Sequence, residues 1–123
     1  IPVTRGAGTR VELRCPDPAA NPYLVLAVCL EAGLDGIRNQ ITPPDAVTEN
    51  VFEMQLPQRA KLGIESLPGD LEQAVEELEK DDYIKNVLGG HITEKYLEAK
   101  RAEWADYRAQ VTGWEIDNYL YKI

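Results

Sequence analysis

Thr9-Arg10-Val11-Glu12-Leu13-Arg14-Cys15-Pro16-Asp17-Pro18-Ala19-Ala20-Asn21-Pro22-Tyr23 is the stretch on which the reading of this chain turns. Its first six residues alternate, with Thr9, Val11 and Leu13 on one face and Arg10, Glu12 and Arg14 on the other. That is the period-two pattern of a half-buried strand. Pro16 and Pro18 stop the strand, because proline cannot donate to a ladder. Asn21 and Pro22 then start a helix in the favoured order, a side-chain acceptor at the N-cap and proline at the first helical position. Taken alone, two arginines around a glutamate read as an ion-paired, solvated strand face. Their place beside a rigid turn and an apolar helix leaves a second reading open, a charged wall of a site.

Downstream, the helix from Pro22 to about Asp35 carries Leu24, Val25, Leu26, Ala27, Val28, Cys29, Leu30 and Ala32. A helix apolar nearly all round is expected to be buried nearly all round. Gly36 suits the left-handed position that closes a helix. Gln40 to Leu62 holds Pro43, Pro44 and Pro57 and little periodicity, so it reads as extended, with one short helical turn at Leu56 to Ala60. Asp70 is the N-cap of the next helix, and Gln73 stands at capping-box spacing. Leu71, Ala74, Val75 and Leu78 form its apolar stripe. Glu72, Glu76, Glu77 and Glu79 are spread by helical spacing over a solvated face rather than gathered around a metal. Asp81 or Asp82 caps a short helix ending at Leu88, with Gly89-Gly90 as its terminator. A long helix from Thr93 to about Gln110 follows, and His91 before it reads as a turn residue. Thr112 and Glu115 form a second capping box, opening a terminal helix with Trp114, Ile116, Tyr119, Leu120 and Tyr121. The segments Ile1 to Gly8 read as a loop. The sum is an α+β, mainly helical arrangement of one or two strands and four to five helices.

Composition narrows the function classes. The 123 residues carry 44% hydrophobic and 28% charged side chains, as an ordinary globular chain does, and a formal net charge of −8. That acidic balance argues against a nucleic-acid surface, which needs a basic stripe. No apolar run approaches the roughly 20 residues of a membrane span. Cys15 and Cys29 have no CxxC spacing and His91 is the only histidine, so a structural zinc site is not expected. The count of two allows a disulfide, but Cys29 on an apolar helix reads as a buried reduced thiol, pointing to the cytoplasm. Ile1-Pro2-Val3-Thr4-Arg5 has neither an initiator methionine nor a signal-peptide pattern, as expected of an excised piece or a processed product.

Several strings carry a family resemblance. Arg10 to Arg14, Asp17-Pro18-Ala19-Ala20-Asn21-Pro22-Tyr23-Leu24, Ala32-Gly33-Leu34-Asp35-Gly36-Ile37, Gly63-Ile64-Glu65-Ser66-Leu67-Pro68-Gly69 and Glu98-Ala99-Lys100-Arg101-Ala102-Glu103-Trp104 resemble the C-terminal part of bacterial and archaeal type I glutamine synthetase. The likeness covers residues 1–123, as the C-terminal portion of a catalytic domain whose remainder precedes it. The resemblance implies that the strand belongs to a curved antiparallel sheet walling an active site. It implies ATP-dependent ligation of ammonia to L-glutamate through γ-glutamyl phosphate, with Mg²⁺ or Mn²⁺ as the divalent cation. Phosphoryl transfer of this kind is mostly positioning and charge neutralisation. Glu12 matches the family's ligand of the ATP-side metal, a hard carboxylate for a hard cation. Arg14 matches the contact to glutamate and the transferring phosphoryl group, a role suited to a planar guanidinium. Along a strand the two stand about 6.6 Å apart, from a rise of about 3.3 Å per residue. Arg10 shares their face, where it adds positive field without an expected direct contact.

The family's other metal ligands, its upstream arginines and its flap are expected before Ile1, so the segment alone is expected to be inactive. The resemblance also implies a cytoplasmic homo-oligomer of two stacked hexamers, with the segment from Trp114 engaging another subunit. There are departures. Phe52 stands where one subgroup carries a tyrosine that is adenylylated, so that control is lost. Gly113 stands where relatives often have proline. Two other readings remain at this level: a non-catalytic subunit-interaction module, and a related ligase forming γ-glutamyl amines.

Overall fold

The structure, a computed structural model, describes residues 6–120 and 122; the expected loop over Ile1 to Arg5, and Tyr121 and Ile123 of the expected terminal helix, lie outside them. The chain divides into two units, Ile1–Leu67 and Pro68–Ile123.

In the first unit a short 3-10 turn, Gly6–Gly8, leads into an irregular segment. Asp17 folds its own turn there, accepting the Ala19 N–H on its carboxylate (2.8 Å) and the Ala20 N–H on its carbonyl (2.9 Å). Helix α1 spans Pro22–Arg38, and the Asn21 side chain accepts the N–H groups of Tyr23 (3.0 Å) and Leu24 (3.4 Å) as its N-cap. The helix does not close at Gly36, which is helical. It closes four residues later through Gln40, whose φ of 51° is left-handed. Ile41 N–H donates to the Gly36 carbonyl (2.9 Å) and Gln40 N–H to the Ile37 carbonyl (3.3 Å), the paired bonds of a Schellman motif. Helix α2, Leu56–Lys61, ends the same way with Gly63 at φ 64° and the bonds Ile64 N–H to Arg59 and Gly63 N–H to Ala60.

Two expectations fail in this unit. No strand occurs among the described residues, so the α+β assignment with one or two strands is wrong and the described fold is helical. Alternation marks a strand's two faces, but a strand exists only through its ladder. Thr9–Arg14 has no partner segment hydrogen-bonded to it among the described residues. Nor is α1 buried. None of its residues is fully covered, and Tyr23, Leu26, Leu30 and Ile37 are all more than 60% exposed. The apolar pattern made the helix, and the described residues of this unit cover it only in part, with Leu24, Val25, Val28 and Cys29 half-buried. Met54 is the one buried hydrophobic residue described here.

The second unit has a small helical core. Helix α3, Leu71–Lys80, packs on α5, Gly90–Arg108, and α4, Asp82–Leu88, touches both. Asp70 caps α3 by accepting the Gln73 N–H (2.8 Å). Gln73 reciprocates one residue early, accepting the Gly69 N–H (3.1 Å) while its amide donates to Asp70 (2.9 Å). Val75 is buried on α3 and Thr93 on α5. The Thr93 hydroxyl donates to the Lys85 carbonyl of α4 (3.2 Å), and Lys85 Nζ donates to the Glu79 carbonyl at the end of α3 (2.6 Å). Arg101 on α5 pairs with Glu79.

Asp81, not Asp82, caps α4, accepting the Ile84 N–H (3.0 Å). Gly89 then makes the whole joint at φ 78°, ψ 153°, and α5 begins at Gly90. His91 is thus an exposed residue of the first helical turn, not of a loop. Thr112 and Glu115 form the expected capping box, Glu115 N–H to the Thr112 hydroxyl (3.2 Å) and Thr112 N–H to the Glu115 carboxylate (2.8 Å). They open α6, Gly113–Glu115, which continues as a π-helical turn, Ile116–Leu120.

Candidate functional site

Thr9 to Arg14 keeps its two-faced character without a ladder. Thr9 N–H closes the preceding turn on the Gly6 carbonyl (3.0 Å). The next residues then place Arg10, Glu12 and Arg14 side by side, because residues two apart on a non-helical chain share a face. Glu12 sits between the two arginines. Arg10 Nε donates to Glu12 Oε1 (2.7 Å), and an Arg14 terminal nitrogen donates to Oε2 (2.9 Å). Both carboxylate oxygens are therefore engaged. The Arg14 guanidinium, and then that of Arg10, hold the Glu12 carboxyl below the ordinary glutamate range. The Glu12 side chain retains 30% exposure, and Arg14 is almost fully exposed at 88%.

The site residues expected from sequence, Glu12 and Arg14, are thus brought into direct contact. Arg10, expected to supply field only, touches Glu12 as closely as Arg14 does. The signal for it was present in the alternation, which places all three on one face. What alternation does not show is which neighbours bond.

Glu12 offers hard carboxylate oxygens, the donor type that Mg²⁺ or Mn²⁺ takes, and each of them already accepts a guanidinium hydrogen bond. It fits as one ligand of such an ion. Among the described residues no group of three or more His, Cys, Asp or Glu side chains is placed to hold a metal. Glu72, Glu76 and Glu77 of α3 form a solvated face, with Glu77 paired to Lys80 (2.8 Å), whereas Glu79, expected among them, is half-buried and paired with Arg101 of α5.

Cys15 and Cys29 are both free thiols, Cys15 exposed and Cys29 half-buried. Phe52 is 96% exposed in the turn that Asn50 holds by accepting the Phe52 N–H (3.2 Å) and donating to Glu53 (2.8 Å). At the other end of the chain Trp114 and Tyr119 meet edge to face at 5.5 Å, each more than 60% exposed. Among the described residues no helix is long and apolar enough to cross a membrane.

Comparison with known proteins shows the family. The family model "Glutamine synthetase, catalytic domain" matches residues 1–119. The glutamine synthetase of Clostridium saccharobutylicum is 52% identical over 122 residues, which are 99% of this chain and 28% of the relative. That of Thermotoga maritima is 53% identical over 121 residues, 98% of this chain and 28% of the relative. The solved structure described as "GmaS/ADP complex-Conformation 1" is 41% identical with a TM-score of 0.76, covering 88% of this chain and 24% of that one. The chain spans about a quarter of the length of these relatives. Matched from its first residue to residue 119, with Glu12 and its two arginines near the start of the match, the chain belongs to the glutamine synthetase catalytic-domain family.

Proposed function

We propose that this chain is the C-terminal part of a glutamine synthetase catalytic domain, and that the intact protein ligates ammonia to L-glutamate at the expense of ATP through γ-glutamyl phosphate. The observation that carries the reading is the Arg10–Glu12–Arg14 cluster, a carboxylate and guanidinium on one face of a segment matched by the family. Glu12 would be one ligand of a Mg²⁺ or Mn²⁺ ion on the ATP side. Arg14 would address the glutamate carboxylate and the phosphoryl group as charge develops on it. The relative described with ADP supports an adenine nucleotide as co-substrate. The bound cation would supply charge neutralisation and orientation to the phosphates, while this chain supplies one oxygen ligand and one planar cation.

The segment by itself has no turnover in this reading, since a single carboxylate does not hold a catalytic cation. The intact protein works in the cytoplasm as a homo-oligomer of stacked hexamers. Its exposed terminal aromatics, Trp114 and Tyr119, supply the kind of apolar anchor that a neighbouring subunit buries.

The test is steady-state kinetics of the intact enzyme at varied Mg²⁺. Glu12→Gln keeps shape but loses the charge, and it should raise the Mg²⁺ requirement. Arg14→Lys keeps the charge but loses the fork, and it should lower turnover by about 10²–10³-fold, as removal of a transition-state charge contact does. Both side chains lie off the apolar face, so the melting temperature should not change. Normal turnover in both variants, or loss of activity only through melting, would leave the cluster as an ion-paired surface and nothing more.

A further inference from the structure

We draw no further inference here: the strongest candidate, the cleft of about 280 Å³ between α3 and α5 lined by Glu72, Val75, Glu76, Trp104 and Arg108, is walled by exposed charged side chains, and nothing in the structure shows what covers it.

Discussion

Val75→Ala tests what holds the second unit together. Val75 is 7% exposed on α3, the helix that packs on α5, and it is the only buried hydrophobic residue described in this unit. Removing two methyl groups that are almost wholly out of water costs about 0.8 kcal/mol each, or about 1.6 kcal/mol. Incomplete collapse of the vacated space raises the figure toward about 2.5 kcal/mol. At 1.4 kcal/mol per tenfold, local opening of α3 from α5 becomes about 15- to 60-fold more frequent. Hydrogen exchange of the α3 and α5 amides in the intact protein reads that opening directly. Glu77→Ala is the control, because Glu77 is 64% exposed on the same helix and pairs with the exposed Lys80. It should leave exchange unchanged. Protection equal to the wild type in Val75→Ala would refute the argument, and would mean that α3 and α5 are held by something other than this contact.

Four further outcomes are expected. Thr93→Val removes the hydroxyl bond to the Lys85 carbonyl, but that carbonyl keeps the Gly89 N–H at 3.0 Å. Denaturant unfolding should therefore show a loss of only about 0.5–1.5 kcal/mol. Gly89→Ala forces a Cβ into a backbone region that only glycine enters freely, at a cost of about 1–3 kcal/mol in the same assay, whereas Gly90→Ala, helical and with open space around it, should cost nothing. Asp70→Ala leaves the Gln73 N–H without its cap and should destabilise α3 by about 0.5–2 kcal/mol, seen as faster exchange in its first turn. Glu115 is held below the ordinary glutamate range by the Thr112 N–H and then by the Thr112 hydroxyl. Its support for α6 is therefore complete above the unfolded value and is lost as pH falls through the lowered, folded one. A carboxyl-carbon NMR titration showing Glu115 at or above the ordinary value would contradict this.

Four helix starts were legible because they are local, whereas α5 begins at Gly90 and not at the expected Thr93. Asn21, Asp70, Asp81 and Thr112 each cap the helix that follows, with an acceptor and an N–H only two or three residues apart. Helix ends were less so. Gly36 looked like a terminator, yet a helix interior accepts glycine, and Gln40 takes the left-handed position instead. Gly89-Gly90 looked like a gap, but one glycine suffices to turn the chain and the second already belongs to α5. The strand was illegible for a different reason. Alternation is a property of one segment, whereas a ladder is a property of two. The candidate site shows the same division: one face holding Arg10, Glu12 and Arg14 follows from period two, while the bond that ties Arg10 to the Gly8 carbonyl lies outside the pattern.

The uncovered flank of α1 has a practical consequence. Tyr23, Leu26 and Leu30 recur at helical spacing, and Ile37 continues their row two turns on, all facing water. A polypeptide of these 123 residues, produced by itself, should bind hydrophobic dyes such as ANS, be captured by chaperones, and precipitate as its concentration rises. Its net charge of −8 slows that fate without preventing it, since charge opposes encounter at long range while an apolar row acts on contact. Polar substitutions at Leu26 and Leu30 are the direct way to make such a polypeptide tractable in solution, because neither side chain is buried in this structure.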